Sequence, residues 1–164
     1  MFLNKRWEQA SVALSKAGRN REVKICDAYL LREKARLIFT TAGEVRVRAF
    51  VTAAEAFITC ARDSTLEEVD ERLAHERLAY YRTAGECYSE ARDLKSAGDN
   101  YCIAGEYTEA ARAYREGGYF DEMVEVINRH RDVMNGGLIE RLEADAKVHY
   151  FKVYSNNRTA AKYV

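Results

Sequence analysis

The three histidines, at positions 75, 130 and 149, are the residues best suited to act as a base or as zinc ligands. Glu76 follows His75, but no second histidine stands four residues on, so the zinc-protease spacing is not met. We expect His75 to lie on a helix surface. His130, in the segment NRHRD, is expected near a helix C-terminus, where a cation is favoured. His149, beside Tyr150, is expected to be a half-buried packing residue.

The four cysteines, at positions 26, 60, 87 and 102, are spread along the chain without a closely spaced pair. A structural zinc site would need clustered cysteines and histidines. A nucleophilic cysteine would need a recognisable turn beside it, and the sequence has none. We therefore predict that the cysteines are small, buried, apolar side chains in a reducing compartment.

Carboxylates are plentiful, but they alternate with arginines at helical spacing, as in EEVDER at 67–72. Arg82 and Glu86, four residues apart, would form an ordinary surface pair that contributes about 0.2–0.5 kcal/mol. A hydrolase with two acidic groups would need a cleft and perturbed acidities. Nothing in the sequence indicates either, so we predict no catalytic, cofactor-binding or metal-binding residues.

Positive charge is concentrated at the start of the chain, although the net charge is zero. Residues 1–50 contain 11 Lys and Arg against 5 Asp and Glu, whereas residues 51–164 contain 15 against 21. The candidate basic surface consists of Arg32, Arg36, Arg46 and Arg48. Because Arg46 and Arg48 point about 200° apart on a helix, the four do not form one stripe. We expect a solvated or interdomain surface, and nucleic-acid contact is the alternative.

Helices are expected to carry these side chains, because the chain has no proline and its apolar residues recur every three to four positions. The clearest stripe is Val47, Phe50, Val51, Ala54, Phe57, Ile58 and Ala61. The segment 135–137, Asn-Gly-Gly, predicts a helix stop and a turn. No run is long enough to cross a membrane and no secretory signal is visible. We therefore expect an intracellular protein, cytoplasmic or nuclear.

Small residues recur in residues 81–120, with Ala-Gly or Gly-Gly at 84–85, 97–98, 104–105 and 117–118. Residues 81–100 match residues 101–120 at seven positions, which predicts a repeat unit of about 20 residues. The helices would then have about three turns and would need stacking to be stable. Glycine can end a helix or allow close approach of a neighbour. We predict that tyrosines pack between the helices and offer exposed edges to a partner: Tyr81, Tyr88, Tyr101, Tyr107 and Tyr114.

Residues 94–114 resemble a tetratricopeptide repeat (TPR). In that family a large residue precedes a small pair, an aromatic residue, a Gly-x-Tyr turn, an alanine and another aromatic residue. Those positions are occupied in order by Leu94, Ala97, Gly98, Tyr101, Gly105, Tyr107, Ala110 and Tyr114. The match fails at Gly117, where the family has alanine, and at Glu122, where it prefers proline. The resemblance implies stacked helical hairpins and is specific for architecture rather than for function.

A second resemblance covers residues 78–154, in the run AGEYTEAARAYREGGYFDEMVEVINRHRDVM followed by AKVHYFKVY. It resembles the helical repeat region of very large fungal proteins with UvrD-like helicase domains, related to TPR and ankyrin repeat-containing proteins. The phosphate-binding GxxxxGKS/T loop of a helicase is not in the sequence. This resemblance implies a non-catalytic piece of a larger protein.

The expected fold is all-α, with antiparallel short-helix hairpins stacked as a TPR-like α-solenoid in a single domain, residues 1–164. We expect basic helices at 1–62, TPR-like hairpins at 64–154 and the start of a truncated further helix at 155–164. The expected function is a non-catalytic protein–protein interaction or scaffold module, whose partner is another protein or a neighbouring domain of the parent chain. The alternative is an accessory region of a UvrD-like helicase that contributes to nucleic-acid binding or interdomain regulation. We expect no cofactor and no membrane contact.

Overall fold

The computed structural model describes residues 2–39, 43–63 and 71–160, which form eight helices and contain no strand. The helices are α1 (Phe2–Lys16), α2 (Asn20–Leu37), α3 (Gly43–Asp63), α4 (Glu71–Glu90), α5 (Leu94–Ile103), α6 (Tyr107–Gly117), α7 (Phe120–His130) and α8 (Gly136–Ala160). The all-α prediction is confirmed. Only α5, α6 and α7 have the expected length of about three turns, and the other helices are longer. None of the described helices has the length and apolar character that crossing a bilayer requires.

Aromatic rings connect the first four helices in chain order. Trp7 in α1 stacks on Tyr29 in α2 with ring centroids 4.9 Å apart, and Tyr29 makes an edge contact with Phe57 in α3 at 5.0 Å. Phe57 stacks in turn on Tyr80 in α4 at 6.4 Å. The predicted stripe of α3 turns Phe57 inward, and its side chain is completely buried. Its ring therefore lies at the centre of the core formed by α2, α3 and α4.

Consecutive helices run antiparallel. Near the start of α2, Lys24 pairs with Asp63 at the end of α3 at 2.5 Å. Near the start of α3, Arg46 pairs with Glu90 at the end of α4 at 2.8 Å. Short connections make this arrangement the natural one, because a chain that reverses in a few residues lays each helix against the one before it.

Four helix-to-helix junctions share one backbone conformation. In each, a residue with positive φ precedes a residue whose N–H donates to the carbonyl five residues earlier, the Schellman ending of a helix. The positive-φ residues are Gly18, Arg92, Gly105 and Gly118. The donors that follow are Arg19, Asp93, Glu106 and Tyr119, and their acceptors are Leu14, Tyr88, Tyr101 and Tyr114. Each donor residue is also the N-cap of the next helix, so the chain reverses at once.

The junctions reveal a structural period that is shorter than the predicted one. The helices α5, α6 and α7 begin at Leu94, Tyr107 and Phe120, so the step from 94 to 107 equals the step from 107 to 120. The predicted alignment equated Gly85 with Gly105, but Gly85 lies inside α4 whereas Gly105 forms a turn with φ +78°. The predicted alignment therefore paired a glycine inside a helix with a glycine in a turn, and its repeat register was wrong.

Glycines inside two helices make room for tyrosine rings of the next helix. A Cβ atom on Gly98 in α5 would lie 2.4 Å from the ring of Tyr114 in α6. One on Gly85 in α4 would lie 2.9 Å from the ring of Tyr101 in α5. Close approach was predicted at these doublets, and the structure shows that it takes the form of a ring against a backbone.

Ion pairs also join helices that are not consecutive. They are Arg32–Glu86 between α2 and α4, Arg82–Glu106 between α4 and the N-cap of α6, Lys95–Glu122 between α5 and α7, and Arg115–Asp145 between α6 and α8. Most of these side chains are substantially exposed, so each pair contributes only about 0–1 kcal/mol. The pairs nevertheless show that α2, α4, α6 and α8 are neighbours in that order, and that α7 lies beside α5.

The last helix corrects the prediction for residues 155–164. No further helix begins at 155, because α8 continues from Gly136 to Ala160. Residues 138–155 contain no glycine, asparagine or proline, so no residue typical of a helix end precedes position 155 within α8. Residues 161–164 and residues 64–70, where the hairpin region is predicted to begin, lie outside the described residues.

Candidate functional site

An open groove lies between α5 and α7, with α6 at its floor. Its volume is about 530 Å³. It is lined by Lys95, Asp99, Cys102 and Ile103 from α5, by Glu122, Glu125, Val126, Arg129 and His130 from α7, and by Tyr107 and Tyr114 from α6. The groove exists because α6 lies between α5 and α7, and its tyrosines fill only the bottom of the space between them.

Lys95 spans this groove. Its Nζ lies 3.0 Å from Asp99 Oδ1 on its own helix and 3.5 Å from Glu122 Oε1 on α7. It also lies 5.5 Å from the centroid of the Tyr114 ring, close enough for a cation–π attraction. The hydrogen bond with Asp99 is the main cause of a raised pKa for Lys95. The ammonium group is thus kept charged and links the two walls of the groove.

Tyr114 is the polar centre of the groove floor. Its hydroxyl donates to Asp99 Oδ1 at 2.6 Å and lies 3.9 Å from the sulfur of Cys102. Burial, followed by that hydrogen bond, raises the pKa of Tyr114, so the hydroxyl stays protonated. Burial also raises the pKa of the Cys102 thiol, which disfavours the nucleophilic thiolate. The floor is therefore suited to contact and hydrogen bonding rather than to attack on a substrate.

Tyr107 and His130 form one end of the groove. Their rings are stacked with centroids 3.5 Å apart and planes inclined by 7°. Tyr107 is the first residue of α6 and His130 is the last of α7, so the stack closes the ends of two antiparallel helices. The prediction correctly put His130 at a helix end but did not foresee its aromatic partner. Ile103 lines the same groove and is 52% exposed, which leaves an apolar contact open to a partner.

Four of the five predicted tyrosines are buried, and of these four only Tyr114 reaches the groove. Tyr81, Tyr88, Tyr101 and Tyr114 are at most 9% exposed and belong to the hydrophobic core. Packing between helices is as predicted, but the prediction that these four offer exposed edges to a partner is wrong. For Tyr101 and Tyr114 the reason is that Gly85 and Gly98 opposite them admit the rings deeply. Tyr107, the fifth of the set, is half-buried.

The four predicted basic residues do not form an uncompensated positive surface. Arg32 is mostly buried over the ring of Tyr29 and lies 3.7 Å from Glu86. Arg46 crosses to α4 and pairs with Glu90 at 2.8 Å. Arg36 and Arg48 pair with carboxylates on their own helices, Glu33 and Glu44 respectively. Each guanidinium group therefore has an acidic partner, and two of the four connect helices.

The remaining histidines and cysteines lie where they were predicted, except that Cys102 is half-buried rather than buried. Three of the four cysteines are buried, and burial raises the pKa of Cys87 to about 12. His75 is exposed on α4, and His149 is half-buried, with its ring stacked on Phe120 at a centroid distance of 4.2 Å. In the part of the chain that the structure describes, no three His, Cys, Asp or Glu side chains are grouped so as to hold a metal ion.

Sequence reasoning named only Tyr107 and Tyr114 among the residues that line the groove, and those it missed include Lys95, Asp99 and Glu122. A signal for them exists in the equal spacing of Tyr88, Tyr101 and Tyr114, which repeats the step between the starts of α5, α6 and α7. Two such steps separate α5 from α7, so these two helices lie on the same side of the stack and Lys95 of α5 can meet Glu122 of α7. With the longer predicted period, α5 and α7 could not be recognised as neighbours.

No protein-family model, curated protein or solved structure matches this chain. The resemblances to tetratricopeptide repeats and to the fungal UvrD-like helicase proteins therefore remain predictions from the sequence.

Proposed function

We propose that this chain is a non-catalytic helical-repeat module that binds a segment of another protein, or of a neighbouring domain, in the groove between α5 and α7. The observation that carries the proposal is the recurrence of one junction at Arg92, Gly105 and Gly118. Identical junctions at equal intervals stack successive helices in the same way, as in a TPR-like α-solenoid. Such stacks bind their partners along surfaces made from alternate helices.

The chemistry of the groove supports a polypeptide ligand. Its walls carry ionised groups of both signs, while Ile103 offers an exposed apolar contact. A peptide provides charged and apolar side chains at fixed intervals, whereas a small molecule prefers an enclosed and largely apolar pocket. The raised pKa values of Cys102 and Tyr114 keep both groups protonated, which supports binding over covalent chemistry.

A selection from a library of random peptides tests this proposal. Peptides enriched on the wild-type chain would be measured by fluorescence anisotropy against Ile103→Glu, which places a charge in the groove. Val133→Glu is the matched control, because Val133 is also exposed and does not line the groove. We expect Ile103→Glu to weaken binding at least ~10-fold and Val133→Glu to leave it unchanged. Enriched peptides that bind both variants equally would contradict the proposal.

The alternative function, nucleic-acid binding as part of a helicase, makes a different prediction. Binding to DNA or RNA would weaken steeply as salt rises, because condensed counterions are released. Since Arg32, Arg36, Arg46 and Arg48 all have carboxylate partners, we expect no gel shift by the isolated chain even at low salt. A shift that salt abolishes and that Arg36→Gln weakens would favour the alternative.

A further inference from the structure

A second surface, on α8, exposes more apolar side chains than any other seven-residue stretch of the described chain. Five large hydrophobic side chains are exposed there: Val148, Tyr150, Phe151, Val153 and Tyr154. Phe151 is 72% exposed and Tyr154 is 66% exposed. At about 100° per residue these five side chains point in several directions, and Val148 and Phe151, about 60° apart, share one side of α8. An exposed apolar side of a helix is typical of an interaction site in soluble proteins.

The same part of α8 is basic. Residues 146–160 contain two lysines and one arginine but no Asp or Glu, although the chain as a whole has 26 acidic residues. Lys147 and Lys152 are exposed and pair with no carboxylate among the described residues, unlike Lys95. The charges of Lys147 and Lys152 are thus not compensated within the part of the chain that the structure describes, and they favour an acidic partner.

A groove of about 640 Å³ runs beside this surface, between α6 and α8. Leu138, Leu142 and Val148 give it an apolar wall, and Lys152 lies at the same groove. Asp145 is the one carboxylate that α8 contributes to the lining of this groove, and it pairs with Arg115 at 2.6 Å. A concave apolar groove accepts individual side chains of a protein partner, whereas a flat lipid surface could not fill it.

We propose that this surface of α8 binds an acidic amphipathic helix of a partner protein. Val148, Phe151 and Lys152 are spaced at i, i+3 and i+4, so they lie on one face of α8, next to the groove, along which a second helix can pack. Apolar side chains of the partner enter the groove and contact Val148 and Phe151, while its carboxylates pair with Lys152 and, on the other side of Phe151, with Lys147. The surface is separate from the groove between α5 and α7, so this proposal stands or fails independently of the function proposed there.

Three synthetic peptides of about 18 residues test the proposal. The first has leucines at helical spacing flanked by glutamates, and the second has lysine in place of each glutamate. The third has the composition of the first in an order that destroys the apolar stripe. By fluorescence anisotropy, we expect the wild-type chain to bind the first peptide at least ~10-fold more tightly than the other two.

Two sets of variants locate the binding site. Val148→Ser combined with Phe151→Ser should weaken binding of the glutamate peptide at least ~10-fold. Val12→Ser, at an exposed apolar position of α1, should leave it unchanged. Lys147→Glu combined with Lys152→Glu should reverse the preference, so that the lysine peptide binds more tightly than the glutamate peptide. A misfolded variant cannot produce this gain of binding.

Three results would overturn the proposal. The first is equal binding, or no binding, of all three peptides by the wild-type chain. The second is unchanged binding after the double serine substitution. The third is sedimentation of the chain with phosphatidylserine vesicles in the absence of peptide binding, which would assign the surface to an anionic membrane instead. Loss of peptide binding by Ile103→Glu alone concerns the function proposed for the groove between α5 and α7, and not the surface of α8.

Discussion

The ring of Tyr114 lies against the backbone of Gly98, so closely that a Cβ at position 98 would be 2.4 Å from Cε1 of the ring. The hydroxyl of the same tyrosine donates to Asp99, the next residue of α5, at 2.6 Å. The ring is therefore held at its face by the glycine and at its tip by the carboxylate. Shape and hydrogen bonding together fix how α6 packs on α5.

Gly98→Ala should destabilise the fold by about 1–2 kcal/mol. Overpacking costs about 1–3 kcal/mol, and the better helix propensity of alanine returns up to about 1 kcal/mol of that. Urea unfolding followed by circular dichroism measures the difference. Gly136→Ala is the control, since a Cβ on this first residue of α8 would meet nothing within 4 Å. A Gly98→Ala variant as stable as the control would show that the ring is free to move aside.

Arg92→Gly should stabilise the fold by about 0.5 kcal/mol. Arg92 is the one described non-glycine residue with positive φ, at 62°, in a junction where the equivalent residues are glycines. The left-handed conformation costs a non-glycine residue about 1–2 kcal/mol, and glycine avoids this cost. Glycine also makes the unfolded chain more flexible, which offsets part of the gain. The exposed ion pair of Arg92 with Glu116 contributes little, and Glu116→Gln measures that contribution alone.

The reciprocal substitution checks the same explanation. Gly105→Ala should destabilise the fold by about 1 kcal/mol, because φ is +78° there and no neighbouring atom lies within 4 Å of the added Cβ. Opposite signs for Arg92→Gly and Gly105→Ala, measured by thermal unfolding, are the expected result. Equal signs would mean that backbone conformation does not control these junctions.

Local pattern was enough to predict the helical class, because apolar periodicity depends only on residues within a few turns. The stripe that contains Phe50 and Phe57 was placed correctly in the core for this reason. The register between helices was not predictable in the same way. Gly85 and Gly105 have the same neighbours in sequence, Ala before and Glu after, yet one is helical and the other forms a turn.

The groove was harder to predict than the fold. The contact of Lys95 with Glu122 joins residues that are far apart in the chain, so it depends on how α5, α6 and α7 stack. An amphipathic residue such as tyrosine adds a further ambiguity, because it can be buried or exposed with little change in local pattern. Tyr101 and Tyr107 illustrate this: the first is buried and the second is half-buried at the groove.

Alkaline pH should destabilise the fold through tyrosines that stay protonated in the native state. Burial raises the pKa of Tyr80 to about 12, from an ordinary value of 10.0. The hydrogen bond to Asp121 raises the pKa of Tyr150 to about 12 as well. Because the folded pKa is the higher one, this stabilisation is complete below pH 10.0 and is lost as the pH rises towards about 12.

Urea unfolding at a series of pH values from neutral to strongly alkaline measures this loss. Tyr80→Phe should make the decline above pH 10.0 shallower, because one group with a raised pKa is gone. Tyr154→Phe, at an exposed position, is the matched control and should keep the wild-type slope. A free energy of unfolding that stays constant up to a pH of about 12, or equal slopes in all three proteins, would rule out this account.

Phe57→Ala should be the most damaging single truncation in the first four helices, with a cost of about 3–5 kcal/mol. The side chain is completely buried, and its ring contacts Tyr29 of α2 and Tyr80 of α4, so its loss leaves a cavity where three helices meet. Phe57→Leu keeps most of the volume and should cost less, which keeps the comparison measurable if the alanine variant unfolds. Phe39→Ala, at a side chain that is 82% exposed, should change the free energy of unfolding by less than about 0.5 kcal/mol. Equal effects at positions 57 and 39 would mean that these aromatic contacts do not hold α2, α3 and α4 together.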